Sequence, residues 1–245
     1  MKNYLLKLAD DTLIMGQRLA EWCGKGPYLE EDIALTNIAL DYLGQANNFY
    51  KYAAQLDGAK SEDDLAFLRY EHEYLNAQLV ELPNGDYAQT ILKVYFFAVY
   101  QKLLYTALSH SEDENLSALA QKSLKEVKYH LTHAKTWVTV FAKGTDESQQ
   151  KLNAALAMIW EYTGGLFDQT EGEEGLIGLD LVPSAEDLRK EWHTQIAQDF
   201  AEFGLLIPED PFMQKGSRKG IHTEYFGYIL CELQYMQRAY PGCAW

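Results

Sequence analysis

Glu126, His130 and His133 lie at spacings of four and three in the stretch KEVKYHLTHAKTW (Lys125–Trp137), so one carboxylate and two imidazoles share a helical face. That trio is half of what a carboxylate-bridged pair of iron ions asks of a helix bundle. The full set takes a Glu from each of two helices and Glu-x-x-His from each of the other two, all pointing inward. Oxygen donors supply charge and bridging, and imidazoles complete each metal's coordination. A second polar row, Asp41, Gln45 and Asn48, has the same spacing. The set then breaks. No Glu-x-x-His or Asp-x-x-His occurs in the chain; the histidine slot after Asp41 is Gly44, and after Glu126 it is Tyr129. From Tyr87 to Ser111 there is neither Asp nor Glu, so that helix offers no bridging carboxylate. Asp41, Gln45, Glu126 and His130 are read as degenerate ligand positions. A small zinc site on Glu126, His130 and His133 stays open beside the plainer reading, a Glu–His pair at a helix contact. On an ideal wheel His130 lies about 90° from the centre of the apolar seam, which predicts a flank position.

A second constellation is KGSRKGIHTEYFG (Lys215–Gly227), with three cations in five residues of a chain whose net charge is −15. Backbone amides at a helix start together with Lys and Arg can hold an anion. The alternative is a connector whose cations meet acidic groups of this chain or a partner. His222 is read as a cap or a satisfied interior histidine. No nucleophile elbow supports a hydrolase.

The elements that position these residues are helical nearly everywhere. The periodicity predicts helices over about Asn3–Cys23, Tyr28–Leu56, Leu65–Leu79, Tyr87–Ser109, Leu116–Phe141, Ser148–Phe167, Ser184 onward and Thr223–Ala239, with an acidic loop DQTEGEEGLIGLDLVP between the sixth and seventh. Ser184 is the expected cap, with Asp187 in the capping-box slot. Tyr42, Ala46, Phe49, Ala53 and Leu56 form one apolar seam; Leu124, Val127, Leu131, Ala134, Val138 and Phe141 form another. Two consecutive helix pairs with matching polar rows predict an all-α, ferritin-like four-helix bundle with additional C-terminal helices, in one domain over residues 1–245.

Composition narrows the function classes. Hydrophobic residues make up 47% and the charge is strongly acidic, which disfavours nucleic acid and anionic membranes as partners. The three cysteines match no ligand spacing and no disulfide framework, so a reducing, cytoplasmic setting is expected. No apolar stretch reaches the roughly 20 residues of a membrane span.

The segments RLAEWCGKGPYLEEDIALTNIALDYLGQANNFYKYAA, LVELPNGDYAQTI, KEVKYHLTHAKTW and KGIHTEYFGYILCELQYMQRAYPG, taken together, resemble the PaaC family of subunits of the multicomponent 1,2-phenylacetyl-CoA epoxidase. The resemblance implies a ferritin-like fold and a non-catalytic, structural role without a cofactor of its own. Its partner would be a PaaA-type catalytic subunit that holds the di-iron centre and epoxidises the aromatic ring with O2. Electrons would come from NADPH through a reductase subunit with flavin and an iron–sulfur cluster. It further implies peripheral contact with phenylacetyl-CoA at Glu73, Tyr74, Leu75 and Asn76, and at Glu174, Gly175 and Leu176. A homodimer is expected when the chain is alone. Ala98 stands where an acid can occur in the family. The rival reading is an independent metal-binding oxidoreductase that uses Glu126, His130 and His133.

Overall fold

The computed structural model describes residues 1–58, 60–209 and 212–243, and among them there is no strand. In chain order the α-helices are α1 (Lys2–Ala20), α2 (Leu29–Asp57), α3 (Glu62–Phe67), α4 (Gln78–Glu81), α5 (Tyr87–Leu108), α6 (Glu114–Lys143), α7 (Asp146–Ile159), α8 (Glu173–Ile177), α9 (Ala185–Phe203) and α10 (Glu224–Ala239). The expected all-α class is what forms. Side chains set the helix starts: Asp86, Asp113, Thr145 and Ser184 accept from the amides of Gln89, Leu116, Ser148 and Asp187. Gly58 and Gly204 end α2 and α9 in the left-handed conformation, with φ of 67° and 77°.

The chain divides into two compact units, each assembled from separated segments. The first comprises Met1–Pro83, Thr170–Glu173 and Gly216–Trp245. Its frame is the pair α1 and α2, joined by a short connection and packed along each other. The buried stripe of α2 runs Leu35, Ile38, Ala39, Tyr42, Ala46, Phe49 and Ala53, which contains most of the expected seam. Gly16 lets α1 come close, because a Cβ there would lie 3.1 Å from both the Ala39 carbonyl oxygen and Leu43 Cγ.

The expected helix over Leu65–Leu79 is instead three short pieces. After α3 comes a single 3-10 turn, Glu71–Glu73, then extended backbone from Tyr74 to Ala77, then α4. Helical hydrogen bonding fails here because buried side chains outbid it. The amides of Leu75 and Ala77 donate to the carboxylates of Asp10 and Asp11, each at 2.7 Å.

The second unit comprises Asn84–Gln169 and Glu174–Lys215. Its centre is α5, which packs on α6, α7 and α9 and is buried at every position from Ala88 to Gln101. An all-round apolar helix must be interior. Phe96 is ringed by Trp160, Trp192 and Phe200 at centroid distances of 5.6, 5.6 and 6.1 Å. The Trp192 indole donates to the Phe96 carbonyl at 3.1 Å.

Two expectations in this unit are corrected. The buried line of α6 runs Leu116, Ala120, Ser123, Val127, His130, Ala134 and Val138, not through Leu124, Leu131 and Phe141, which are half-buried. Small residues at 120, 123 and 134 let a neighbouring helix approach along that line. His130, placed on a flank by the wheel, is therefore fully buried, as is Gln45 on α2. The helix expected to reach Phe167 ends at Ile159 and tightens into a 3-10 run, Trp160–Phe167. There the Gly164 backbone passes so close to Met213 that a Cβ would lie 2.8 Å from the Met213 Cβ.

Two glycines of this fold should respond oppositely. Gly16→Leu overpacks the α1–α2 contact and should destabilise the chain by about 1–3 kcal/mol. Gly44 is exposed with open space where a Cβ would go, so Gly44→Ala should stabilise by about 0.5–1 kcal/mol. Denaturant midpoints of the two variants check both signs.

Candidate functional site

The densest chemistry in the first unit begins with charges inside an apolar helix. Lys7, Asp10 and Asp11 lie on α1 among Leu5, Leu6, Leu8, Leu13 and Ile14, and all three are buried. Charge without water must be paired and hydrogen-bonded. Each has its counter-ion from a distant segment.

Asp10 is held by the guanidinium of Arg69, whose Nη1 donates to Oδ2 at 3.1 Å and whose Nη2 reaches Oδ1. The Tyr50 hydroxyl donates to the same Oδ1 at 2.5 Å, and burial followed by the Asp10 charge pushes that phenol well above its ordinary range. Asp11 takes a forked contact from Arg218, with Nη1 to Oδ1 at 2.7 Å and Nη2 to Oδ2 at 2.9 Å. Lys7 meets both oxygens of Glu173 at 2.7 and 2.8 Å, and Glu173 Oε2 also accepts from the Thr170 amide and hydroxyl at 2.9 and 3.0 Å. Burial pushes Lys7 down to about 8, against the pull of Glu173.

A fourth carboxylate, Glu81, is fully buried at the end of α4. It accepts from Asn76 Nδ2 at 2.8 Å, from the Thr223 amide and hydroxyl at 2.8 and 2.7 Å, and from His222 Nδ1 at 2.5 Å. His222 Nε2 faces the Tyr74 carbonyl at 3.1 Å. Both ring nitrogens therefore face oxygens, one of a carboxylate and one of a backbone carbonyl. Glu81 so placed puts negative charge at the N-terminus of α10, where the helix dipole favours it. His222 is the satisfied interior histidine that its position suggested, stacked on Phe226 at 4.1 Å.

Four of the sequence-predicted contact residues sit inside this network. Glu73 Oε2 accepts from the Tyr70 amide at 2.6 Å, and its carbonyl accepts from Arg69 at 2.8 Å. The Tyr74 hydroxyl donates to the Ala66 carbonyl and accepts from Gln234; burial pushes it up to about 12. Leu75 uses its amide on Asp10 and its carbonyl on Arg218, and Asn76 binds Glu81. Only Glu73 and Leu75 of the four are half-buried; Tyr74 and Asn76 are interior. Glu174, Gly175 and Leu176 belong to the second unit and to α8, not to a loop as expected. Thr170 anchors the start of that helix, its carbonyl accepting from the Glu173 amide at 3.2 Å.

Of the three cations in KGSRKG, Arg218 is interior and committed to Asp11, whereas Lys215 and Lys219 are exposed. Asp41, Glu126 and His133 are half-buried, and the Tyr129 ring lies 6.4 and 6.2 Å from His130 and His133. Among the described residues no three acids, histidines or cysteines stand where they could hold a metal.

Lys7, Asp10, Asp11, Arg69, Glu81 and Glu173 were not singled out from sequence. The signal was present in YLLKLADDTLIM, where two acids and a lysine interrupt an apolar helix face. Their partners, 59 to 207 positions away, were not legible there.

Removing one member of a buried pair strands the other. Arg69→Ala should cost about 3–5 kcal/mol, whereas Lys7→Met combined with Glu173→Gln, which keeps an acceptor for the Thr170 amide and hydroxyl, should cost less than Lys7→Met alone, read by chemical denaturation. Lys7 also has a pH signature. Its folded value near 8 lies below the ordinary 10.5, so between these the unfolded chain binds more protons. Stability attributable to Lys7 should then rise with pH from about 8 to 10.5. The wild-type minus Lys7→Met stability difference, measured across that window, should move in favour of the wild type.

The PaaA/PaaC family, described as "Phenylacetic acid catabolic protein", matches residues 1–245. The C subunit of "1,2-phenylacetyl-CoA epoxidase" from Escherichia coli (strain K12) is 42% identical over 242 residues, which is 99% of this chain and 98% of that protein. Agreement of that extent covers both units. The chain belongs to the PaaA/PaaC family of phenylacetic acid catabolic proteins, with its all-α, ferritin-like architecture.

Proposed function

We propose that this chain is the structural, non-catalytic subunit of a 1,2-phenylacetyl-CoA epoxidase, supporting a di-iron catalytic subunit of the PaaA type. The observation that carries the reading is the 42% identity, end to end, to a protein named as a subunit of that epoxidase. A family description spanning residues 1–245 supports one domain acting as one subunit.

The residues present do not fit a bridged iron pair. Helix α5 has no carboxylate from Tyr87 to Leu108, and the buried ligand-like positions hold Gln45 and His130. The buried acids of α1 are already committed to arginines. The chain therefore carries no cofactor, and the di-iron, NADPH, flavin and iron–sulfur chemistry resides in other subunits. Its part is mechanical: it presents a rigid helical surface to the catalytic subunit and shapes the edge of the acyl-CoA pocket. Leu29, Ile33 and Leu40, exposed along one face of α2, favour a protein that works in an assembly. Contact with phenylacetyl-CoA is assigned to the segments Glu73–Asn76 and Glu174–Leu176, at the pocket edge. Among the described residues no helix is long and apolar enough to cross a membrane.

Co-expression with the catalytic subunit should yield one species by native mass, with iron in proportion to the catalytic chain only. The chain alone should elute as a metal-free homodimer. Separate elution of the two chains, or stoichiometric iron on this chain that is lost in Glu126→Ala, would favour the independent metal-binding oxidoreductase instead.

A further inference from the structure

We propose that Arg218 is a positioning residue for the acyl-CoA edge, the pin of a clasp formed by Gly216–His222 over the extended segment Tyr74–Ala77. The inference rests on the proposed contact of Glu73 and Leu75 with the ester. It deepens that reading by naming what gives the segment its shape.

An extended backbone running between a 3-10 turn and a four-residue helix has no ladder of its own to hold it. Side chains of other elements hold its backbone instead. The Leu75 amide donates to Asp10 and the Ala77 amide to Asp11, both at 2.7 Å. From the opposite side the Leu75 carbonyl accepts from Arg218 Nη1, also at 2.7 Å, and the Tyr74 carbonyl faces His222 Nε2 at 3.1 Å. One Arg218 nitrogen thus serves Asp11 and Leu75 together, so the guanidinium ties the acid that holds Ala77 to the carbonyl two residues earlier.

The loop carrying Arg218 fits against the same segment by shape. Gly220 adopts a φ of +74°, and a Cβ there would lie 2.2 Å from the His72 carbonyl oxygen, so only glycine permits this approach. The Ile221 carbonyl accepts from Gln78 Nε2 at 3.1 Å, fastening the far end of the loop just beyond Ala77. Loop and segment therefore define each other. The backbone that carries Leu75 is held by a loop far later in the chain, Leu75 and Arg218 being 143 positions apart.

The test uses the complex with its catalytic subunit, turning over phenylacetyl-CoA. Arg218→Gln and Gly220→Ala should each raise KM for phenylacetyl-CoA about tenfold while kcat stays within twofold, and native mass should show the complex intact. Amide hydrogen exchange at Leu75 and Ala77 should speed up in both. Arg218→Lys restores a charge beside Asp11 without the planar fork, so it should recover thermal stability but not KM. Gly220→Ala adds a single methyl and buries no charge, which keeps the test open if Arg218→Gln fails to fold. Leu75→Ala is the control for the contact itself. If Leu75→Ala raises KM but Gly220→Ala leaves both KM and exchange at wild-type values, the clasp is overturned and the contact survives. Should Leu75→Ala leave KM unchanged, the contact reading falls and takes the positioning role with it.

Discussion

The first unit depends on one constraint: α1 carries charge where it must be dry. Three ionic side chains on a helix flanked by leucines cannot be left without partners, because an uncompensated buried charge costs several kcal/mol. The remainder of that unit is arranged to supply those partners. Arg69 comes from just beyond α3, Glu173 from the first turn of α8, and Arg218 from the turn before α10. Each brings its stretch of backbone, so three connections that would otherwise be loose are fixed against one helix. Such pairs contribute little net stability compared with apolar packing, but they tolerate few alternative arrangements. Their value here is in specifying which segment lies where.

The same constraint bears on how this protein keeps carboxylates in its interior. Carboxylates inside a helical bundle need cations, and iron is one way to provide them. In this chain guanidinium and ammonium groups stand in that role. Arg is suited to it, since its planar fork matches a carboxylate at two points and stays charged at any accessible pH.

Long, periodic elements were readable from sequence. The helices α2, α5, α6 and α10 begin and end within about two residues of the pattern, since caps such as Asp86 and Asp113 and the αL glycine at 58 act locally. What the pattern missed has a common cause. The segment from Leu65 to Leu79 has helical periodicity but loses its helix to carboxylates more than sixty residues earlier. The seam of α6 was displaced because small residues, not large apolar ones, mark the closest approach. The polar rows on α2 and α6 were legible as types and spacings, but the burial of Gln45 and His130 was not. The charge network was half legible: the anomaly in α1 was visible, its partners were not, because pairing across 166 or 207 residues leaves no trace in local spacing.

That separation has a consequence for how the protein is made. Asp11 leaves the ribosome some 207 residues before Arg218. At about 5–20 residues per second, the nascent chain waits on the order of 10–40 s with this acid unmatched. The first unit therefore closes only after every residue of the second has been made, so the N-terminal helices form early and find their final neighbours later.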